Sequence, residues 1–342
     1  VRIANLSYHT LYAFAWKFPI LFAVMKNWFL DFARGASLGT GILPGVSVGT
    51  VGLIVKIYDK LIGAIDDLRH HFGKAFLTLL PIALGCMASA VLLLLFWQKA
   101  ASVYFPFPLI AALAGFVAGG IPLIISNIHR QEKMGMDILR VALGFLLAGC
   151  IGVLSYLSAA GVLPSLSFQE AFDHPYQNAW IFVVVLLVGF IAAVACLIPG
   201  ISGSMVLFIF GLYQPVVNLY ISAGDGSHVS MFHNQEMLVP GLLLTLILLI
   251  GVIVGLLATS KAMKGLLEKH PQGTYTWVLG FIMGSVVSMF FNNQMYTVYT
   301  TPNTSTWYQY LIGALTFTIV FGLMLFYFRK SKKPESNGVV EN

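Results

Sequence analysis

Charge is what this chain has least of. Of its 342 residues, 9% are Asp, Glu, Lys or Arg, where a soluble domain carries about 25%. So few ions cannot clothe an ordinary hydrated surface, which excludes a soluble enzyme, a secreted disulfide scaffold and a disordered chain. Cysteine is nearly as scarce. Cys86, Cys150 and Cys196 lie far apart inside apolar runs, with no CxxC and no Cys/His cluster, so neither metal nor redox chemistry is indicated. There is no HExxH, no pair of carboxylates inside an apolar run and no glycine-rich nucleotide loop. The chain is therefore expected to use no cofactor, no metal and no ATP.

What is abundant is apolar surface: 58% of the residues are hydrophobic and the mean hydropathy is +0.86. At about 20 residues per crossing, the length allows roughly eight to ten membrane segments. Six long apolar runs stand out, at 75–97, 103–126, 137–160, 237–258, 274–291 and 308–328. Two further apolar regions, 32–58 and 179–220, are interrupted by Leu43-Pro44-Gly45 and Ile198-Pro199-Gly200. The net charge of +6 fits basic cytoplasmic loops better than nucleic-acid binding. Residues 11–24 are apolar but short and carry Lys17 and Pro19, so residues 1–24 read as a leader or an interfacial segment ahead of Met25.

The loop charges set an orientation. Lys60, Arg69 and Lys74, then Arg130, Lys133 and Arg140, then Lys261, Lys264 and Lys269, then Arg329, Lys330, Lys332 and Lys333 mark one side. Stretches 161–178, 221–236 and 292–307 contain no Lys or Arg and mark the other. By the positive-inside rule the first set is cytoplasmic, as is the C-terminus. Region 32–58 then enters and leaves from the cytoplasm, and region 179–220 enters and leaves from outside. Each is a re-entrant hairpin.

The two hairpins are also related in sequence. At an offset of 155, LPGVSVGTVGLIVKIY (43–58) aligns with IPGISGSMVLFIFGLY (198–213), with identities at Pro44/Pro199, Gly45/Gly200, Ser47/Ser202, Val51/Val206, Ile54/Ile209 and Tyr58/Tyr213. Each hairpin is followed by three spans, an odd number, so the second copy is expected upside-down. The expected fold is an all-α polytopic membrane protein of two inverted-topology repeats, each a Pro-Gly-broken helical hairpin followed by three transmembrane helices. Repeat 1 covers 25–165, repeat 2 covers 166–328, and 329–342 form a basic cytoplasmic tail. Inverted repeats with broken helices at mid-membrane are the build of secondary transporters.

The turns carry the candidate chemistry. In PGVSVGT (44–50) and PGISGS (199–204), proline suits a first helical turn, glycine allows close approach, and Ser or Thr caps free N–H groups. A helix start offers donors and a partial positive charge, a natural place for an anion. The candidate substrate-binding residues are Pro44, Gly45, Ser47, Gly49, Thr50, Pro199, Gly200, Ser202, Gly203 and Ser204, with Arg34 assisting as a cation. The plainer reading is that the hydroxyls only satisfy their own helix ends. Lys56 and Asp59 read as interfacial anchors, and Asp137 and Arg140 as a cap and a cytoplasmic charge.

At these residues the chain resembles the DUF368 family, the polyprenyl-phosphate (undecaprenyl-phosphate) translocases of bacteria. The resemblance rests on GASLGTGILPGVSVGTVGLIVKIYDKLIGAI and CLIPGISGSMVLFIFGLY. It implies a flippase in the bacterial cell membrane that returns undecaprenyl phosphate from the outer to the inner leaflet for cell-wall polymer synthesis, and that is not an enzyme. This chain departs from the family pattern in lacking an acid two before Pro44, and in carrying Val48 and Lys56. Two other readings stand beside it. A small-anion transporter would use the same turns, whereas a membrane lipid phosphatase would need an arginine beside the serine and a glutamate partner, which neither hairpin has.

Overall fold

The computed structural model describes residues 25–42, 46–96, 105–128, 134–162, 168–220, 231–291, 293–300 and 306–331, whose regular structure is all helical. Two of the candidate site residues, Pro44 and Gly45, lie outside the described residues. Residues 25–38 form α1, which tightens into a 3-10 turn at Gly39–Ile42. Then come α2 (Val48–Ile54), α3 (Tyr58–Asp67), α4 (Phe72–Phe96), α5 (Pro106–Ser126) and α6 (Met134–Ala159). After the short α7 (Gln169–Asp173) follow α8 (Trp180–Leu197), α9 (Gly203–Ile209), α10 (Tyr213–Tyr220), α11 (Gln235–Lys269), α12 (Pro271–Ser288), α13 (Asn293–Thr300) and α14 (Trp307–Ser331).

Six of these helices, α4, α5, α6, α8, α11 and α14, are long and apolar enough to cross a bilayer. The chain is an all-α polytopic membrane protein. Its polarity is inside-out relative to a soluble fold: Leu77, Leu92 and Leu323 are over 60% exposed, while Ser47, Thr50, Ser260, Ser285 and Ser288 are buried. Helices in lipid gain nothing from apolar burial alone, so small residues and interhelical hydrogen bonds join them. Ser288 of α12 donates to the Ala148 carbonyl of α6 at 2.6 Å. Thr316 of α14 donates to the Pro108 carbonyl of α5 at 3.1 Å.

Five of the six apolar runs appear as α4, α5, α6, α11 and α14. The run at 274–291 appears as α12, but this helix is not among the apolar six. Its first half carries Gln272, Thr274 and Thr276, all buried against protein. Its place among the six is taken by α8, the first arm of the broken region 179–220. Three helices, α3, α7 and α13, also occupy stretches whose charge pattern reads as loops. In α3, Leu61, Ile62 and Ile65 are buried against α4 and α11. α13 packs on α6, and the nearby Tyr299 hydroxyl donates to the Phe290 carbonyl at 3.1 Å.

The offset of 155 reappears in the helix bounds. α2 and α9 start at Val48 and Gly203 and end at Ile54 and Ile209, and α3 and α10 start at Tyr58 and Tyr213. Both short arms close the same way. Ile57 N–H donates to the Gly52 carbonyl and Leu212 N–H to the Leu207 carbonyl, each at 2.9 Å. That six-residue closure requires a left-handed residue just before the donor. Lys56 (φ 57°) and Gly211 (φ 68°) fill the role. Packing is reciprocal too: α5 lies on α14 and α12 on α6, while α1 with its 3-10 turn lies near α4 as α8 lies on α11.

At about 1.5 Å per residue, the 35 residues of α11 run roughly 52 Å, well beyond a hydrocarbon core of about 30 Å. Its last turns carry Lys261, Lys264 and Lys269. Lys264 Nζ lies 3.0 Å from Asp66 Oδ2, tying α11 to α3 at that end.

Candidate functional site

The second Pro-Gly break is a β-turn rather than the start of a helix. Ile201 N–H donates to the Ile198 carbonyl at 3.3 Å, and Gly200 sits at φ 91°. Proline second and a positive-φ glycine third define a type II turn. The expectation that Pro199 opens a helix is thereby corrected. The φ of Gly200 is incompatible with helix, so α9 starts three residues later at Gly203. Phe281 of α12 lies where a Cβ on Gly200 would project, so that position has no room for a side chain either.

The residues that follow the first Pro-Gly position meet the second turn. Ser47 is the N-cap of α2, its side chain accepting from Thr50 N–H at 3.5 Å. The same hydroxyl donates across to the Ile198 carbonyl at 3.1 Å. Thr50 Oγ1 accepts from Gly200 N–H at 2.7 Å, and the buried Tyr58 hydroxyl donates to the Leu197 carbonyl at 2.9 Å. Gly49 makes this proximity possible. A Cβ there would stand 2.6 Å from the Leu197 carbonyl oxygen and 3.0 Å from Pro199 N. Three side chains, of Ser47, Thr50 and Tyr58, thus hold three of the four residues 197–200.

The remaining candidates lie beside this crossing in different ways. Ser202 is buried and bonds to Ser204, Oγ to Oγ at 2.9 Å, where its counterpart Ser47 reaches across to the other hairpin. Gly203 lies against α8, where a Cβ would meet Cys196 Sγ at 2.6 Å. Arg34 is half-buried on α1, three residues from Asp31, and none of the hydrogen bonds described at the crossing involves it. Asp31 pairs instead with Lys60 of α3.

Two residues at the crossing were not singled out as site residues in the sequence. Tyr58 is one, although its identity with Tyr213 in the repeat was the available signal. Arg140 is the other, read only as a cytoplasmic charge. It lines a cavity of about 360 Å³ together with Ile198 of the turn and His270, Gly273 and Trp277 of the α11–α12 corner. A second, larger and mainly apolar cavity of about 770 Å³ lies between α5, α6 and α12.

Comparison with known proteins places this arrangement. A family model described as undecaprenyl phosphate translocase-like (VCA0040-like) matches residues 39–307. The chain is similar to a protein of Vibrio cholerae serotype O1 named polyprenyl-phosphate transporter, 25% identical over 277 residues, covering 76% of this chain and 77% of that one. A Staphylococcus aureus protein of the same name is 25% identical over 265 residues, covering 76% of this chain and 86% of that one. No solved structure matches.

Proposed function

The chain belongs to the undecaprenyl phosphate translocase-like family, and from that premise we propose that it moves a polyprenyl phosphate, of the undecaprenyl phosphate type, between the leaflets of a bacterial cell membrane. The similar proteins are named transporters, not enzymes, and the chain is read accordingly as a carrier that leaves the phosphate ester intact. Net movement from the outer to the inner leaflet, returning the carrier for cell-envelope polymer synthesis, completes the reading.

The observation that carries the proposal is the crossing of the two broken hairpins. Backbone that leaves helical geometry at membrane depth survives only when buried in protein or lining a polar cavity. Here each break brings donors to the other: Ser47 O–H to Ile198, Gly200 N–H to Thr50. A phosphate oxygen is a better acceptor than a neutral carbonyl or hydroxyl, because charge-assisted hydrogen bonds are about twice as strong. The headgroup would therefore exchange into these bonds, taking Ser47, Thr50 and the Gly200 amide, with Ser202, Ser204 and Gly203 on the facing half-helix. Arg34 supplies positive charge from α1. The hairpins are read as entering from opposite faces, in two inverted repeats, so that a headgroup at their crossing meets similar surroundings from either leaflet. The prenyl tail stays in lipid throughout.

Liposomes containing purified protein and a polyprenyl phosphate, with a phosphatase added only outside, test the reading. Without transport the inner-leaflet half is protected. The protected half should drain with the wild-type chain, and at least about 10-fold more slowly with Ser47→Ala/Ser202→Ala. A drain rate unchanged by the double substitution removes the turns as the headgroup site. Phosphate released before any phosphatase is added would make the protein an enzyme.

A further inference from the structure

The cavity beside the crossing has a charge pattern of its own. Arg140 enters it from α6, about 9 Å along the helix from Met134. His270 enters from the corner where α11 ends and α12 begins. The guanidinium lies over the first turn of α12, its Nη1 3.2 Å from where a Cβ on Gly273 would project. The cation is thus held at the corner where the C-terminal end of α11 and the N-terminal end of α12 meet.

The guanidinium is ion-paired on its own helix. The cavity's described lining residues include no acid. Asp137, one turn earlier on α6, faces Arg140 Nη1 through Oδ1 at 3.5 Å, longer than a charge-assisted hydrogen bond. Its other oxygen accepts from Gln272 Nε2 at 2.6 Å, so that carboxylate also serves the α6–α12 contact. The opposite wall is apolar and aromatic: Ile198, Trp277 and Phe281, the two rings stacked with centroids 5.9 Å apart. A small pocket with a forked cation on one wall and rings on the other fits a compact anion that continues into a hydrocarbon chain.

We propose that the Arg140–His270 cavity is a phosphate-monoester site that holds the headgroup of a prenyl phosphate between the crossed hairpins and the face the sequence assigns to the cytoplasm. The proposal rests on the translocase reading and adds a second station to it. The wall residue Ile198 is the one whose carbonyl accepts the Ser47 hydroxyl, so the two stations share a boundary. Arg140 supplies the main charge as a planar fork, the geometry that recognises phosphate oxygens in pairs. His270 adds a second donor, and Trp277 and Phe281 meet the first isoprene unit.

Binding of farnesyl phosphate, farnesol and inorganic phosphate to the full chain in detergent micelles tests this. The wild-type chain should prefer farnesyl phosphate over farnesol, and Arg140→Gln should weaken that binding by about 10-fold or more. Asp137→Asn/Arg140→Gln should weaken it as much while removing both members of the ion pair, so that a folding defect from a lone Asp137 cannot mimic the effect. Lys269→Gln, an exposed cation outside the cavity, should change it less than about 2-fold. Farnesyl phosphate bound within 2-fold of wild type by the folded double variant overturns the site and leaves the translocase reading standing. No preference for the phosphate in the wild-type chain removes both. Displacement by an equal concentration of inorganic phosphate assigns the site to the free anion and overturns the headgroup assignment, whereas a need for about 100-fold excess supports it.

Discussion

Replacing Gly49 by alanine probes the crossing with the smallest possible change. The added methyl would stand 2.6 Å from the Leu197 carbonyl oxygen, about 0.8 Å short of ordinary contact, and the atom in the way is backbone, not the end of a flexible side chain. The second hairpin must therefore back away from α2. Overpacking of this kind costs about 1–3 kcal/mol. The same movement stretches three hydrogen bonds, at 3.1, 2.7 and 2.9 Å, each worth about 1 kcal/mol net. Against this, alanine is a better helix former than glycine by about 1 kcal/mol. The expected outcome is a net loss of about 2–4 kcal/mol. Gly52 is the internal control, three residues along the same helix. A Cβ there meets Tyr58 and Leu38 no closer than 3.5 Å, so Gly52→Ala gains the helix propensity without the clash and should be neutral or stabilising. Tryptophan-fluorescence thermal melts in detergent micelles compare the two. Unfolding midpoints within about 1 °C of each other would refute the close approach of the hairpins.

Two further substitutions test neighbouring parts of the same unit. Tyr58→Phe removes the buried hydroxyl from the Leu197 carbonyl and should cost about 1–2 kcal/mol in the same melts; an unchanged midpoint would mean that the bond contributes nothing to holding the hairpins together. Gly211→Ala, at φ 68°, should destabilise by about 1 kcal/mol, whereas Lys56→Gly, at φ 57°, should stabilise by a similar amount. Shifts of the same sign in the two variants would show that these positions do not share one backbone role.

The parts of the fold that were legible in the sequence are those written in local pattern. Long apolar runs announced α4, α5, α6, α11 and α14, and the Pro-Gly identities announced both breaks and their offset. α12 was legible as a helix but not by environment, because an average over a window cannot tell lipid from protein as the surroundings of Gln272 and Thr276. Lys56 looked like an interfacial anchor because a side chain's charge is visible in sequence while a positive φ at a helix end is not. Pro199 is ambiguous in sequence because proline serves first turns and type II turns alike, and Gly200 decides between them only through its φ. The partners of Ser47, Thr50 and Tyr58 are about 140–150 residues away and follow from the packing of whole helices. Arg140 was legible as a charge, yet its meaning depends on the start of α12 and on Ile198, which only the fold brings beside it.

The bonds between the hairpins also bear on leakage. On the translocase reading, a headgroup path through the crossing requires the two breaks to part. Three bonds of about 1 kcal/mol each hold the parted arrangement to roughly one molecule in 150 when nothing else takes up the freed donors and acceptors. An anion that does take them up removes most of that penalty at the moment it binds. Protons and small ions that cannot satisfy the same groups together would find the barrier closed nearly all the time. On the same reading, a bilayer holding many copies of the protein would keep its membrane potential while a lipid carrier crossed through them.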